Sequence, residues 1–123
     1  MASRKGAEIQ ERVFCFAVAI VELVDVLVTR SMSARELAKQ LLRSATSIGA
    51  NLEEADAGQS RADFVSKCGI ALKEARETHY WLRLLHRTRK ITSYDDAEHL
   101  LSECNEIVAV LTTIVRNSRA ARA

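Results

Sequence analysis

At 123 residues the chain has the length of a single domain and can bury a substantial core. It holds no proline, four glycines and 48% hydrophobic residues, a composition that favours long helices over strands and tight turns. A formal net charge of +2 is too small for bulk electrostatics to mark a nucleic-acid binder, although local clusters or several copies would multiply it.

Cys15, Cys68 and Cys104 fall in three different predicted helices with no C-x-x-C pair. An odd count without metal-ligand spacing reads as reduced, buried, small hydrophobes in a reducing compartment. The start, residues 1–6, is short and polar and carries no secretory pattern. The apolar run over 13–28 is interrupted by Glu22 and Asp25 and is shorter than the roughly 20 residues a membrane span needs. The expectation is a cytoplasmic chain with no membrane partner.

The first helix is expected over about 8–30. Ile9, Val13, Phe16, Ile20, Leu23 and Leu27 make one apolar stripe, and Phe14, Ala17, Val21, Val24 and Val28 make a second beside it. One stripe suffices for the core of a monomeric bundle. The second is either a wide core face or a surface for another subunit, so Phe14, Val21, Val24 and Val28 are interface candidates.

Ser33 with Glu36 has the spacing of a capping box for a second helix over 34–57, with Gly58 as its expected left-handed stop. Arg35, Lys39 and Arg43 follow at fourfold spacing on its outer face, a strip that is either plainly solvated or a phosphate contact. Leu41, Ala45, Ile48, Leu52 and Ala55 form its apolar seam. Ser44, Ser47, Asn51 and Glu54 run directly beside that seam. Polar groups at a buried border need partners, so the row reads as a register device between helices or subunits, or else as a ligand site.

Ser60 and Asp63 repeat the capping signature for a third helix over 61–88. Its seam is Phe64, Cys68, Ala71, Ala75, Thr78, Leu82 and Leu85, with small residues that permit close approach. Lys73 and Glu77 read as a surface pair. Tyr80 and Trp81 project beside the seam as interface anchors in preference to a stacking platform for bases. Arg83, His86, Arg87, Arg89 and Lys90 make a cationic tail that also suits the helix dipole. Ser93 and Asp96 are expected to cap a fourth helix over 94–118, with a stripe of Ala97, Leu101, Cys104, Val108, Leu111 and Val115 and a frayed end.

Four helices of similar length with short links specify an all-α, up-down-up-down antiparallel four-helix bundle occupying residues 1–123. That topology brings Arg30 and Arg35 to the same end as Arg87, Arg89 and Lys90, where Asp95, Asp96 and Glu98 dilute the charge. Chemistry is not in view. A di-iron bundle needs two E-x-x-H elements, and only Asp96-Ala97-Glu98-His99 comes near. Glycine-rich phosphate loops, H-E-x-x-H and G-x-S-x-G are missing from the sequence. No enzyme, metal or cofactor is expected.

Arg43, Ala45, Ser47, Ile48, Asn51 and Glu54, followed by Phe64 and Ile70-Ala71-Leu72, reproduce a family pattern. On them the chain resembles the bacterial four-helix-bundle proteins encoded in intervening sequences of 23S ribosomal RNA genes, and the related accessory (variability) proteins of diversity-generating retroelements. Many members have glycine directly after the glutamate, where this chain has Ala55. The resemblance implies a four-helix protomer assembled as a ring-like homopentamer. In the retroelement relatives it implies RNA or DNA contact through basic surfaces; here the strip on the second helix and the tail of the third supply the candidates, Arg35, Lys39, Arg43, Arg83, Arg87, Arg89 and Lys90. In the retroelement relatives it further implies a reverse transcriptase as partner.

Overall fold

The computed structural model describes residues 4–58 and 60–122, and side chains from residue 8 to 58 and from 60 to 120. The opening residues 1–3, read above for a secretory signal, lie outside the described residues. Four helices follow in order: α1, Arg4–Leu27; α2, Met32–Asp56; α3, Arg61–Arg87; and α4, Ala97–Arg122, with a 3-10 turn at Ser93–Asp95 before α4. They form an antiparallel up-down-up-down bundle, with no strand among the described residues.

The apolar periodicity explains which face of each helix is inside. Ile9, Val13, Phe16, Ile20, Leu23 and Leu27 are all buried on α1. On α2, Ala34, Ala38, Leu41, Ala45, Ile48, Leu52 and Ala55 face Cys68, Ala71, Ala75, Thr78, Leu82 and Leu85 of α3. With so many alanines on both sides, these two backbones approach closely, and α2–α3 is the most extensive contact in the molecule. By contrast α1 and α4 touch sparsely. A groove of about 800 Å³ lies between them, lined in part by Arg12, Cys15, Ala19, Val26, His99 and Glu103.

The ends of the helices differ from their expected positions, for local hydrogen-bonding reasons. α1 stops at Leu27, and residues 28–30 close as a turn. Helix α2 is capped by Ser31, whose Oγ accepts the Ala34 N–H at 3.1 Å, and Ser33 lies inside the helix. Its glutamate, Glu36, is thereby left to pair with Lys39 and Arg35. Gly58 is not left-handed; Ala57 closes α2 in the right-handed region. A side chain at 58 would instead meet the Asp63 carboxylate, 2.5 Å from the position of its Cβ.

Ser60 does cap α3, accepting the Asp63 N–H at 3.0 Å. That helix stops through Arg89, held at φ 60°, after which the Lys90 N–H donates to the Leu85 carbonyl at 2.8 Å. The cap of the next turn is Thr92, not Ser93. Its N–H donates to the Asp95 carboxylate at 2.8 Å while its hydroxyl accepts from Tyr94. Asp96 then turns left-handed at φ 61° and α4 begins at Ala97.

The α4 seam runs through Ala97, Leu100, Cys104, Ile107, Leu111 and Val115, so Leu101 and Val108 are only half-buried at its edge. The helix continues to Arg122 where fraying was expected after 118.

Candidate nucleic-acid interface

Local chemistry settles first what each predicted polar residue can do. Ser44 is fully buried, and its hydroxyl meets that of Thr78 on α3 at 2.8 Å. Ser47 and Asn51 instead bond their own helix: Ser47 Oγ donates to the Arg43 carbonyl and Asn51 Nδ2 to the Ser47 carbonyl, both at 2.8 Å. Glu54 is exposed on the rim of a groove. Of these four residues, therefore, only Ser44 is bonded to a second helix.

The strip on α2 is held by carboxylates. Lys39 Nζ lies 3.1 Å and Arg35 Nε 3.9 Å from Glu36. Arg43 reaches across to α3, to Glu74 at 3.3 Å and to Glu77. Glu77 also accepts the Trp81 indole N–H at 3.0 Å. The expected Lys73–Glu77 pair is displaced by that arrangement, and the half-buried Trp81 is fastened to its own helix.

A different face of α3 holds a row of cations outside these ion pairs. Lys73, Arg76, Tyr80, Arg83 and Arg87 follow at spacings of three, four, three and four, all exposed and opposite the buried seam. None of the four cations is in an ion pair among the described residues, nor are Arg89 and Lys90 just beyond the helix end. From Lys73 to Arg87 the stripe is about 21 Å long at 1.5 Å per residue. Lys73 and Arg76 escaped the sequence reading because Lys73 was matched to Glu77; the heptad spacing that unites them with Arg83 was available.

Tyr80 sits in the middle of this stripe, 49% exposed. The Arg83 guanidinium carbon lies 5.7 Å from the ring centroid, and the Trp81 ring meets Tyr80 edge-on at 5.1 Å. Tyr80, Arg83, Leu84, His86 and Arg87 line a hollow of about 280 Å³. Half-burial of His79, assisted by Arg83, holds its imidazole below the usual pKa and adds no charge to the stripe.

At the helix end the links converge as expected. Arg30 donates to the Lys90 carbonyl at 2.6 Å and binds Asp95 through two hydrogen bonds, at 2.6 and 3.0 Å. Its guanidinium holds the Asp95 carboxyl below the ordinary range against the opposing effect of burial. Arg30 is thus neutralised, while Arg89 and Lys90 remain.

On the other side of the molecule, Phe14, Val21 and Val28 of the second α1 stripe are exposed, along with Val18 and Val26. Val24 departs from that stripe: in the last turn of α1, beside the short link to α2, it enters the core at 6% exposure. Phe14, Ala17, Val18 and Val21 with Gly49 and Ala50 line a groove of about 770 Å³, rimmed by Glu22, Glu53 and Glu54.

Cys15 also departs from expectation. It is exposed, because it lies one position off the buried stripe, whereas Cys68 and Cys104 are buried. Its thiol is held above the usual pKa by local desolvation and by Glu11, and burial pushes Cys104 up to about 12. Neither thiol has the electropositive setting of an activated nucleophile. No group of three potential metal ligands exists among the described residues.

Comparison with known proteins agrees with this architecture. The sequence profile of the 23S rRNA-intervening sequence proteins matches residues 5–113. The chain belongs to that family. A solved structure from the S23 ribosomal protein family, a protein of unknown function from Bacteroides thetaiotaomicron VPI-5482, is 44% identical. The match covers 91% of this chain and 98% of that one, with a TM-score of 0.81. No curated protein matches the chain. As an intervening-sequence protein it has no helix among its described residues long and apolar enough to cross a membrane.

Proposed function

We propose that this intervening-sequence protein is a non-enzymatic, homo-oligomeric four-helix bundle that binds RNA or DNA electrostatically. The contact surface is the α3 stripe together with Arg89 and Lys90. The observation that carries the reading is the division of the cations into two sets: Arg35, Lys39 and Arg43 face carboxylates, whereas Arg83, Arg87, Arg89 and Lys90 have no ion-pair partner among the described residues.

Arg89 adds independent support. A left-handed residue is ordinarily glycine, and an arginine there costs about 1 kcal/mol. A cation placed at a strained position fits a charge-bearing role.

Assembly is supported by the exposed α1 stripe, since a contiguous apolar patch on a helix already packed on its other side calls for a cover. Copies would multiply both the charge and the number of weak sites. A homopentamer, cytoplasmic location and a reverse transcriptase partner belong to the same proposal through the family resemblance.

The test is a salt titration of binding to a structured RNA. Affinity should fall steeply with salt, and replacing Arg83, Arg87, Arg89 and Lys90 by glutamine should reduce both affinity and the salt slope. Undetectable binding by the unmodified protein at low salt refutes the proposal. The apolar α1–α2 groove with its acidic rim favours a second reading, a scaffold that receives a partner helix. Nuclease-insensitive recovery of one protein partner, lost on Val21→Glu, would select it.

A further inference from the structure

Nothing so far distinguishes single strands from duplexes, because phosphates are common to both. Tyr80 supplies the missing chemistry. A tyrosine ring left half exposed in the centre of a cationic stripe offers an electron-rich face to whatever the cations recruit. One face of the ring is within reach of a planar cation: the Arg83 guanidinium carbon lies 5.7 Å from the ring centroid. The adjoining hollow of about 280 Å³ is walled by Leu84 and His86 as well as by Arg83 and Arg87.

We propose that Tyr80 stacks an unpaired nucleobase while Arg76, Arg83 and Arg87 hold the neighbouring phosphates. The site therefore takes single-stranded or looped-out nucleic acid in preference to a duplex. This rests on the electrostatic reading above and deepens it. In a duplex each base is already stacked and paired, so its faces are closed to Tyr80 and only the charge contacts remain. Base stacking on an aromatic ring tolerates any sequence, so the preference concerns strandedness and not base identity. Trp81, the chain's single tryptophan, meets Tyr80 edge-on with ring centroids 5.1 Å apart and is placed to report the event.

The experiment uses the full chain, an oligouridine 12-mer and a 12-base-pair RNA duplex as probes, at low salt, with fluorescence anisotropy as the readout. Tyr80→Ala should weaken oligouridine binding about tenfold, the loss typical of removing a stacking side chain, and duplex binding less than twofold. Tyr80→Phe should retain the preference. Oligouridine should change Trp81 emission in the unmodified protein and not in Tyr80→Ala.

If both probes bind with strong salt dependence and Tyr80→Ala alters neither, stacking is refuted while the electrostatic reading stands. If neither probe binds the unmodified protein, both fall. If Tyr80→Ala changes the sedimentation coefficient, Tyr80 belongs to a contact between copies and the inference is overturned.

Discussion

Replacing Thr78 by valine tests how α2 and α3 are held in register. The two side chains have nearly the same shape, so the change removes a hydroxyl without opening a cavity. Thr78 Oγ1 sits 2.8 Å from Ser44 Oγ and 2.8 Å from the Glu74 carbonyl. Ser44, fully buried, would keep only the Leu41 carbonyl at 3.3 Å. One buried hydrogen bond is lost and its partner is left poorly satisfied, which together costs about 1–2 kcal/mol. Ser44→Ala should cost about 1 kcal/mol by the same reasoning, since Thr78 retains the Glu74 carbonyl.

The two losses describe one interaction, so the double variant should cost about as much as the worse single change, with a coupling energy of about 1 kcal/mol. Urea denaturation followed by circular dichroism, at one fixed protein concentration because assembly shifts apparent stability, measures all four proteins. Additivity within about 0.5 kcal/mol would show that the two hydroxyls do not act on each other and would refute the reasoning.

Arg89→Gly should raise stability by about 1 kcal/mol in the same assay, because glycine relieves the left-handed strain. RNA affinity should fall at the same time; opposite signs are the mark of a residue kept for charge. Asp95 has a pKa lowered from its ordinary value of 3.8 by Arg30, so its contribution is complete above that value and is lost as the pH falls below it. Asp95→Asn should therefore lower stability at neutral pH and flatten the acid limb of the pH–stability curve; an unchanged acid limb would remove Arg30–Asp95 from the account. Phe14→Ser combined with Val21→Ser should lower the sedimentation coefficient to that of a protomer while helicity stays constant, since neither side chain is in the protomer core. An unaltered sedimentation profile would relocate the subunit interface.

Much of the architecture is legible in the sequence because burial follows period. The α1 stripe from Ile9 to Leu27 and the α3 seam from Cys68 to Leu85 are inside, as their spacing requires, and Ser44 beside the α2 seam is the buried polar residue its position suggests. Ends are less legible. Ser31 and Ser33 are both plausible caps, and the choice depends on where the link from α1 delivers the chain. Likewise the left-handed positions fall on Arg89 and Asp96 rather than on glycine, where the requirement of the link overrides residue preference.

The sequence alone determined four amphipathic helices and their inward faces, because these depend on residues three or four apart, and their antiparallel order, because the links between them are short. Only the tertiary structure decided which cations remain available. Arg43 is neutralised by Glu74 and Glu77, more than thirty positions along the chain, and Arg30 by Asp95 across a separation of 65. Coulombic pairing acts over a few ångströms of space without regard to chain distance. The spacing of the stripe around Tyr80 is already in the sequence, but the contrast between its cations and the paired Arg43 appears only once α2 has been laid against α3.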